Sequence, residues 1–309
     1  MKISPYGIYL AIATIVWLMG IFFLCKKRKI SLQVAQTFAL ISIVSSFVFS
    51  RLIFCLVNID LYLGFFKNPG LMLLFFDGGF SLIGVWIGLF VSALIVSKLQ
   101  KIKLGMLMDI AVVPLGLWLA IVRFAESFTT LGVGKVVEKS PLTSLFPFLF
   151  LKETMGISVE YRMAVYVYEA GIALILFVIF ALIAYKKGVG NGKLALLFFT
   201  WHGAIQVILE SFRDDGHLLI IFLRVSQVFF AFLPIGISIF LSIKNKKKTG
   251  NVAYLTVLII SLILLILLEF SLDGRLTIGT PSFAREYGLM LLACLGLSVP
   301  TSLLIKNRE

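Results

Sequence analysis

Charge is what this sequence has least of. Charged residues fill 14% of its 309 positions, whereas hydrophobic residues fill 60% and mean hydropathy reaches +1.07. A soluble domain carries about 25% charged residues, so a water-exposed globular fold is excluded. Cysteine is equally scarce. Cys25, Cys55 and Cys294 are odd in number and widely spaced, which gives neither a disulfide framework nor a zinc signature. Each lies in or beside an apolar run, where helix packing is the expected role. No internal repeat or low-complexity tract stands out.

What is there is a series of apolar runs long enough to cross a bilayer, such as Gly7–Cys25 and Val252–Leu268. The hydropathy pattern predicts an all-α polytopic membrane protein with helices near 7–25, 32–57, 71–97, 105–123, 165–185, 194–212, 219–243, 252–270 and 287–305. The formal charge of +13 does not point to nucleic acid, because of where it falls. Sixteen of the 28 lysines and arginines lie in short runs between apolar spans: Lys26 to Lys29, Lys98 to Lys103, Lys186 to Lys193, Lys244 to Lys248, and Lys306 with Arg308. Threading nine helices alternately puts every run on one side, as cytoplasmic loops facing anionic headgroups require. The N-terminus is then outside and the C-terminus inside. The first run is followed by KKRK, the reverse of a secretory signal, and is expected to be retained.

Between the fourth and fifth helices the longest polar connection, near 124–164, falls on the outer side. It is either a lid over a binding site or a spacer between helices. The segment NIDLYLGFFKNPG, near 58–70, is amphipathic enough to lie in the interface.

Against this apolar background, ionisable residues at helix ends stand out: Arg51, Asp77, Asp109, Arg123, Glu126, Glu169, Glu210, Arg213 and Arg224. Such groups at membrane depth usually face a bundle interior or a water-filled cavity. A cavity open toward the outer leaflet would host most of them, while Asp109 falls near the inner end of its helix, where an interfacial position suffices. In HGAIQVILESFRDD, residues 202–215, positions 202, 206, 210 and 213 fall within an arc of about 80° at 100° per residue. His202, Gln206, Glu210 and Arg213 thus form one polar stripe on one helix. It is either a functional surface or a set of interhelical hydrogen bonds. In DGGFSLIGVWIG, paired Gly78 and Gly79 expose backbone amides and can unwind a helix locally. In RFAESFTTLGVG a helix ends at Arg123. Arginines at one depth suit an anionic ligand, since the planar guanidinium donates two parallel hydrogen bonds to phosphate.

These stretches resemble, in order, motifs of the bacterial prolipoprotein diacylglyceryl transferase family. ISPYGIYLA is similar to the family's opening, with Tyr6 in a Tyr-Gly pair, and FSRLIF to its second-helix arginine, at Arg51. DGGFSLIG, with Gly78, Gly79 and Ser81, resembles GG-x-S-x-H-G. RFAESFTTLGVG resembles R-x-G-N-F-x-N-x-E-x-x-G. YRMAVYVYEAGIAL, with Tyr168 and Glu169, resembles R-H-P-S-Q-L-Y-E, and HGAIQVILESFRDD resembles Y-G-x-x-R-F-x-x-E-F-x-R. The likeness covers roughly residues 4–243. There are departures: the family histidine falls on Ile83, its signature asparagine on Glu126 and the glycine before it on Ala125. The tyrosine opening the last block is His202, and the arginine within it is Gln206.

The resemblance implies a multi-pass protein of the bacterial cytoplasmic membrane that moves a diacylglyceryl group from phosphatidylglycerol to the lipobox cysteine of a prolipoprotein. It implies no metal or cofactor. His202, Glu210, Arg123 and Glu126 are the implied catalytic residues; His202, the only histidine on the stripe and one turn from Gln206, is the first candidate for the missing base and Glu126 the second. Arg213, Arg51, Tyr168, Glu169, Gln206, Gly78, Gly79, Ser81 and Tyr6 would bind substrate. The alternative implication is a scaffold that has lost catalysis and binds phospholipid or lipoprotein as an accessory protein. The family has seven spans, so residues 1–248 would form the transferase-like bundle and 249–309 an appended helical hairpin.

Overall fold

The computed structural model describes residues 4–75, 78–155, 158–215, 219–220, 223–244, 248–276 and 283–306. Asp77 lies outside them. Nine helices among the described residues are long and apolar enough to cross a membrane: α1 (Pro5–Lys27), α2 (Leu32–Val57), α3 (Leu82–Gln100), α4 (Leu104–Ala125), α6 (Val165–Lys187), α7 (Lys193–Phe212), α8 (Val225–Lys244), α9 (Lys248–Leu272) and α10 (Phe283–Lys306). A short α5 spans Pro141–Leu145. Large apolar side chains such as Met19, Phe23, Phe240 and Ile260 lie exposed on their outer faces. In water such a surface would drive aggregation; against acyl chains it is the expected solvent contact.

Two local expectations fail for identifiable reasons. The third helix does not start near 71 but at Leu82. Ahead of it, Pro69–Leu73 forms a 3-10 turn, and Gly78 and Gly79 have φ of +85° and +74°. That left-handed backbone cannot continue an α-helix, so the paired glycines precede the helix rather than unwinding it. The connection near 124–164 is not structureless either. It forms β1 (Val133–Val137), β2 (Phe150–Met155) and β3 (Ser158–Ala164), an antiparallel sheet in the order β1-β3-β2. Alternation of the kind in SVEYRMA is the period-2 signal behind it. A two-residue pair, β4 (Leu219–Ile220) with β5 (Leu223–Arg224), likewise delays α8 to Val225.

The chain divides into two compact units, residues 17–114 with 187–195, and the remainder. In the smaller unit, α2 and α3 cross through small residues. Gly84, Gly88 and Ser92 repeat every four positions on α3, and they meet Ser45, Ser46 and Ser50 or Ser42 on α2. Ser45 Oγ donates to the Gly88 carbonyl at 2.9 Å, and Ser42 and Ser92 hydroxyls lie 2.8 Å apart. Without a hydrophobic driving force between helices in lipid, such close backbone approach supplies the attraction. A Cβ at Gly88 would lie 2.5 Å from Ser46 Cα. Gly88→Val should therefore destabilise the protein by about 2 kcal/mol or more, read as an earlier thermal unfolding midpoint in detergent. Gly236→Ala, where an added Cβ meets nothing within 4 Å, should leave that midpoint unchanged or slightly raised.

Asp109, in the second turn of α4, is fully buried in this unit. Its carboxylate accepts from the backbone amides of Gly190, Gly192 and Ala195, each at 2.9 Å. It thus satisfies amides at the start of α7 that have no intrahelical acceptor and favours the positive end of the helix dipole.

Candidate active site

The larger unit gathers most of the ionisable residues singled out in the sequence. Arg123 sits in the last turn of α4, and the 3-10 turn Glu126–Phe128 follows directly. Glu169 projects from the first turns of α6. His202, Gln206 and Glu210 line one face of α7, and Arg213 follows its last residue. The β1 strand fixes the chain there: Gly134 bridges to Arg213, and Asp214 N donates to the Val133 carbonyl at 2.9 Å.

The two arginines converge through shared carboxylates. Arg213 Nη1 lies 3.0 Å from Glu169 Oε2, and Nη2 lies 3.3 Å from Glu126 Oε2 and 2.7 Å from Asp215 Oδ2. Arg123 Nη1 lies 2.5 Å from Glu126 Oε1, and its Nε lies 3.4 Å from Glu169 Oε2. Glu126 and Glu169 therefore each span both guanidiniums. Arg224 extends the network, donating to Asp215 Oδ1 at 2.8 Å and to the Arg213 carbonyl at 2.7 Å. Gln206 Nε2 donates to Glu169 at 2.6 Å and to Glu210 at 3.2 Å. Glu210 Oε2 is buried with no hydrogen-bond partner among the described residues.

Glu126, Glu169, Gln206, Glu210, Arg213 and Arg224 are buried, and the side chains of Arg123 and Asp215 are 11% and 3% exposed. Burial opposes the charge on Arg213, but Glu169, Glu126 and Glu210 overcome it and hold its guanidinium well above the usual arginine value. The cluster holds three guanidiniums, of Arg123, Arg213 and Arg224, against four carboxylates, of Glu126, Glu169, Glu210 and Asp215. Every nitrogen of the Arg213 guanidinium is engaged by a carboxylate. The crevice lined by Arg123, Glu169, His202 and Gln206 has about 10 Å³ of free space, room for about one water molecule.

His202 lines that crevice between two phenyl rings, stacked on Phe198 at 5.7 Å and edge-on to Phe230 at 5.4 Å. Tyr6 is half-buried within electrostatic reach of Arg123, Glu126 and Arg213. Tyr168 instead donates to the Leu149 carbonyl at 3.1 Å and steadies the loop before β2.

Arg51, Gly78, Gly79 and Ser81 belong to the smaller unit. There the Arg51 guanidinium donates to the carbonyls of Leu71, Met72, Leu74, Gly78 and Gly79. The rings of Phe54 and Tyr62 lie 5.8 and 5.9 Å from its Cζ. Its donors thus hold the segment before α3. Ser81 N donates to the Ser50 carbonyl at 3.1 Å. Asp215 closes the 202–215 motif but falls outside the arc shared by positions 202, 206, 210 and 213. An acid two residues beyond a helix-end arginine was its only signal.

Together these features define a multi-span membrane protein built around a buried guanidinium–carboxylate cluster at the ends of three helices. Comparison with known proteins narrows the class. The family profile for prolipoprotein diacylglyceryl transferase matches residues 1–244, and the chain belongs to that family. Proteins called phosphatidylglycerol–prolipoprotein diacylglyceryl transferase resemble it at modest identity. The one from Listeria monocytogenes serotype 4b is 26% identical over 254 residues, covering 82% of this chain and 90% of that protein. The Bacillus velezensis protein is 25% identical over 253 residues, covering 80% and 90%. One from Staphylococcus aureus is 26% identical over 208 residues, covering 67% and 72%.

Proposed function

We propose that this chain transfers a diacylglyceryl group from phosphatidylglycerol to the lipobox cysteine of a prolipoprotein, as a multi-pass enzyme of the bacterial cytoplasmic membrane with its N-terminus outside. The convergence of Arg123 and Arg213 through Glu126 and Glu169 carries the reading. The cysteine sulfur attacks the glycerol carbon that bears the phosphate ester, the carbon–oxygen bond breaks, and glycerol phosphate leaves. Negative charge grows on the phosphate, and two bidentate donors in a closed site stabilise it. The thiol proton needs an acceptor, since the thiolate is the nucleophile.

Of the two candidates for that base, the geometry favours Glu126. Phosphate entering between Arg123 and Arg213 takes the place of Glu126 on the guanidiniums. The released carboxylate then accepts the thiol proton and returns it to the leaving phosphate. His202, held between Phe198 and Phe230, sits where an imidazolium is poorly solvated, and packing is its role. Glu126→Gln should lower glycerol phosphate release from phosphatidylglycerol vesicles and a lipobox peptide by about a hundredfold or more. His202→Phe should stay within about threefold of wild type, because one buried ring replaces another. The opposite pattern would make His202 the base.

One observation favours the accessory-protein reading: every nitrogen of the Arg213 guanidinium is already engaged by a carboxylate, and Gln206 adds no positive charge to offset them. Under it, wild type releases no glycerol phosphate and does not rescue a transferase-deficient cell, while Gln206→Arg combined with Ile83→His gains activity.

A further inference from the structure

The helices beyond the family match, α9 and α10, belong to the same compact unit as the site. Two of their side-chain contacts fall on the last turn of α7. There Glu210 and Arg213 turn toward the ion cluster, whereas Ser211 and Phe212, offset by about 100° per residue, turn toward α10. The Tyr287 ring stacks on Phe212 with centroids 4.3 Å apart. Its hydroxyl accepts from Ser211 Oγ at 3.1 Å and donates to the Ser211 carbonyl at 3.3 Å. That carbonyl is among the last four of α7, which have no intrahelical donor, and α10 caps it. Near the middle of α7, Trp201 Nε1 donates to Ser302 Oγ at 3.1 Å. From α9, Glu269 accepts from Gln227 Nε2, which also donates to the Val207 carbonyl at 3.2 Å. One helix thus presents one face to the chemistry and has the adjoining face bonded to the C-terminal hairpin.

We propose that this hairpin is a positioning element of the site, with Tyr287 as the residue that sets the rotation of the last turn of α7 and so the placement of Glu210 and Arg213. The inference extends the transferase reading, on which its kinetic consequence rests, but its structural half does not depend on turnover. A ring without the hydroxyl keeps the stack and loses the cap; an aliphatic side chain loses both.

The test uses full-length protein in phosphatidylglycerol nanodiscs, comparing wild type with Tyr287→Phe and Tyr287→Leu. Amide hydrogen exchange is followed at residues 206–214 and, as an internal reference, in α3. Tyr287→Leu should speed exchange about tenfold at 206–214 and leave α3 unchanged, with Tyr287→Phe between the two. In the glycerol phosphate assay Tyr287→Leu should lower kcat about tenfold with KM for the lipobox peptide within about twofold, because a misplaced group loses rate before affinity, and Tyr287→Phe should recover part of the loss. Unchanged exchange at 206–214 overturns the proposal, as does a uniform rise that includes α3, which is general destabilisation. Local exchange gain with kcat unchanged overturns its catalytic half. A wild type without turnover fails the transferase reading instead, and the positioning claim is then decided by exchange alone.

Discussion

Arg213→Ala is expected to reduce glycerol phosphate release by about a thousandfold, the upper range for losing a donor aimed at developing charge. The effect is large because three carboxylates, of Glu126, Glu169 and Asp215, meet at this one guanidinium. Removing it leaves buried negative charges uncompensated, which costs about 3–5 kcal/mol of stability. A stability loss alone would mimic a catalytic one, so Arg213→Lys separates them. It keeps the charge and most of the fold but cannot bridge Glu126, Glu169 and Asp215 together, since an ammonium lacks the planar fork. The thermal midpoint of Arg213→Lys should lie near wild type while its rate stays at least about a hundredfold lower. A Lys variant with more than about a tenth of wild-type rate would show that charge alone suffices, contrary to the bidentate phosphate binding proposed here.

The second large effect is structural. Asp109→Ala removes an acceptor shared by three amides, two of them fully buried, and each charge-assisted bond contributes about 1.5–3 kcal/mol. Part of that returns as water or relaxed backbone reaches the amides, leaving a loss of about 3 kcal/mol and a midpoint lower by roughly 5–10 °C. Asp109→Asn should recover about half of it, because one carbonyl oxygen remains to accept while the amide nitrogen faces donors. If Asp109→Ala unfolds at the wild-type temperature, the loop before α7 is held by something other than this carboxylate.

The spans were legible because hydrocarbon solvation acts on each helix separately. The second helix, expected at 32–57, is Leu32–Val57, and the sixth, expected at 194–212, is Lys193–Phe212. The polar face of α7 was legible for the same reason: helical period alone places 202, 206, 210 and 213 together. What hydropathy could not give was pairing. The resemblance marked Arg123 and Arg213 for the site without giving the carboxylates that pair them. Glu126 and Glu169 come from elements more than forty residues apart, and nothing local announces their meeting. The start of α3 was missed because apolar residues 71–76 look alike in a helix and in a loop. The decisive fact is the backbone of Gly78 and Gly79. The sheet β1-β3-β2 was hidden by length, its alternating segments being short enough to pass as polar connection.

The way Arg51 is held has a consequence for how this region can change over generations. Among the described residues, the guanidinium's hydrogen bonds go to the main-chain oxygens of Leu71, Met72, Leu74, Gly78 and Gly79, and every amino acid brings the same oxygen. Leu71, Met72 and Leu74 are therefore free to drift in identity. A single inserted or deleted residue would shift every acceptor out of reach, so the segment tolerates substitution and is strict about length.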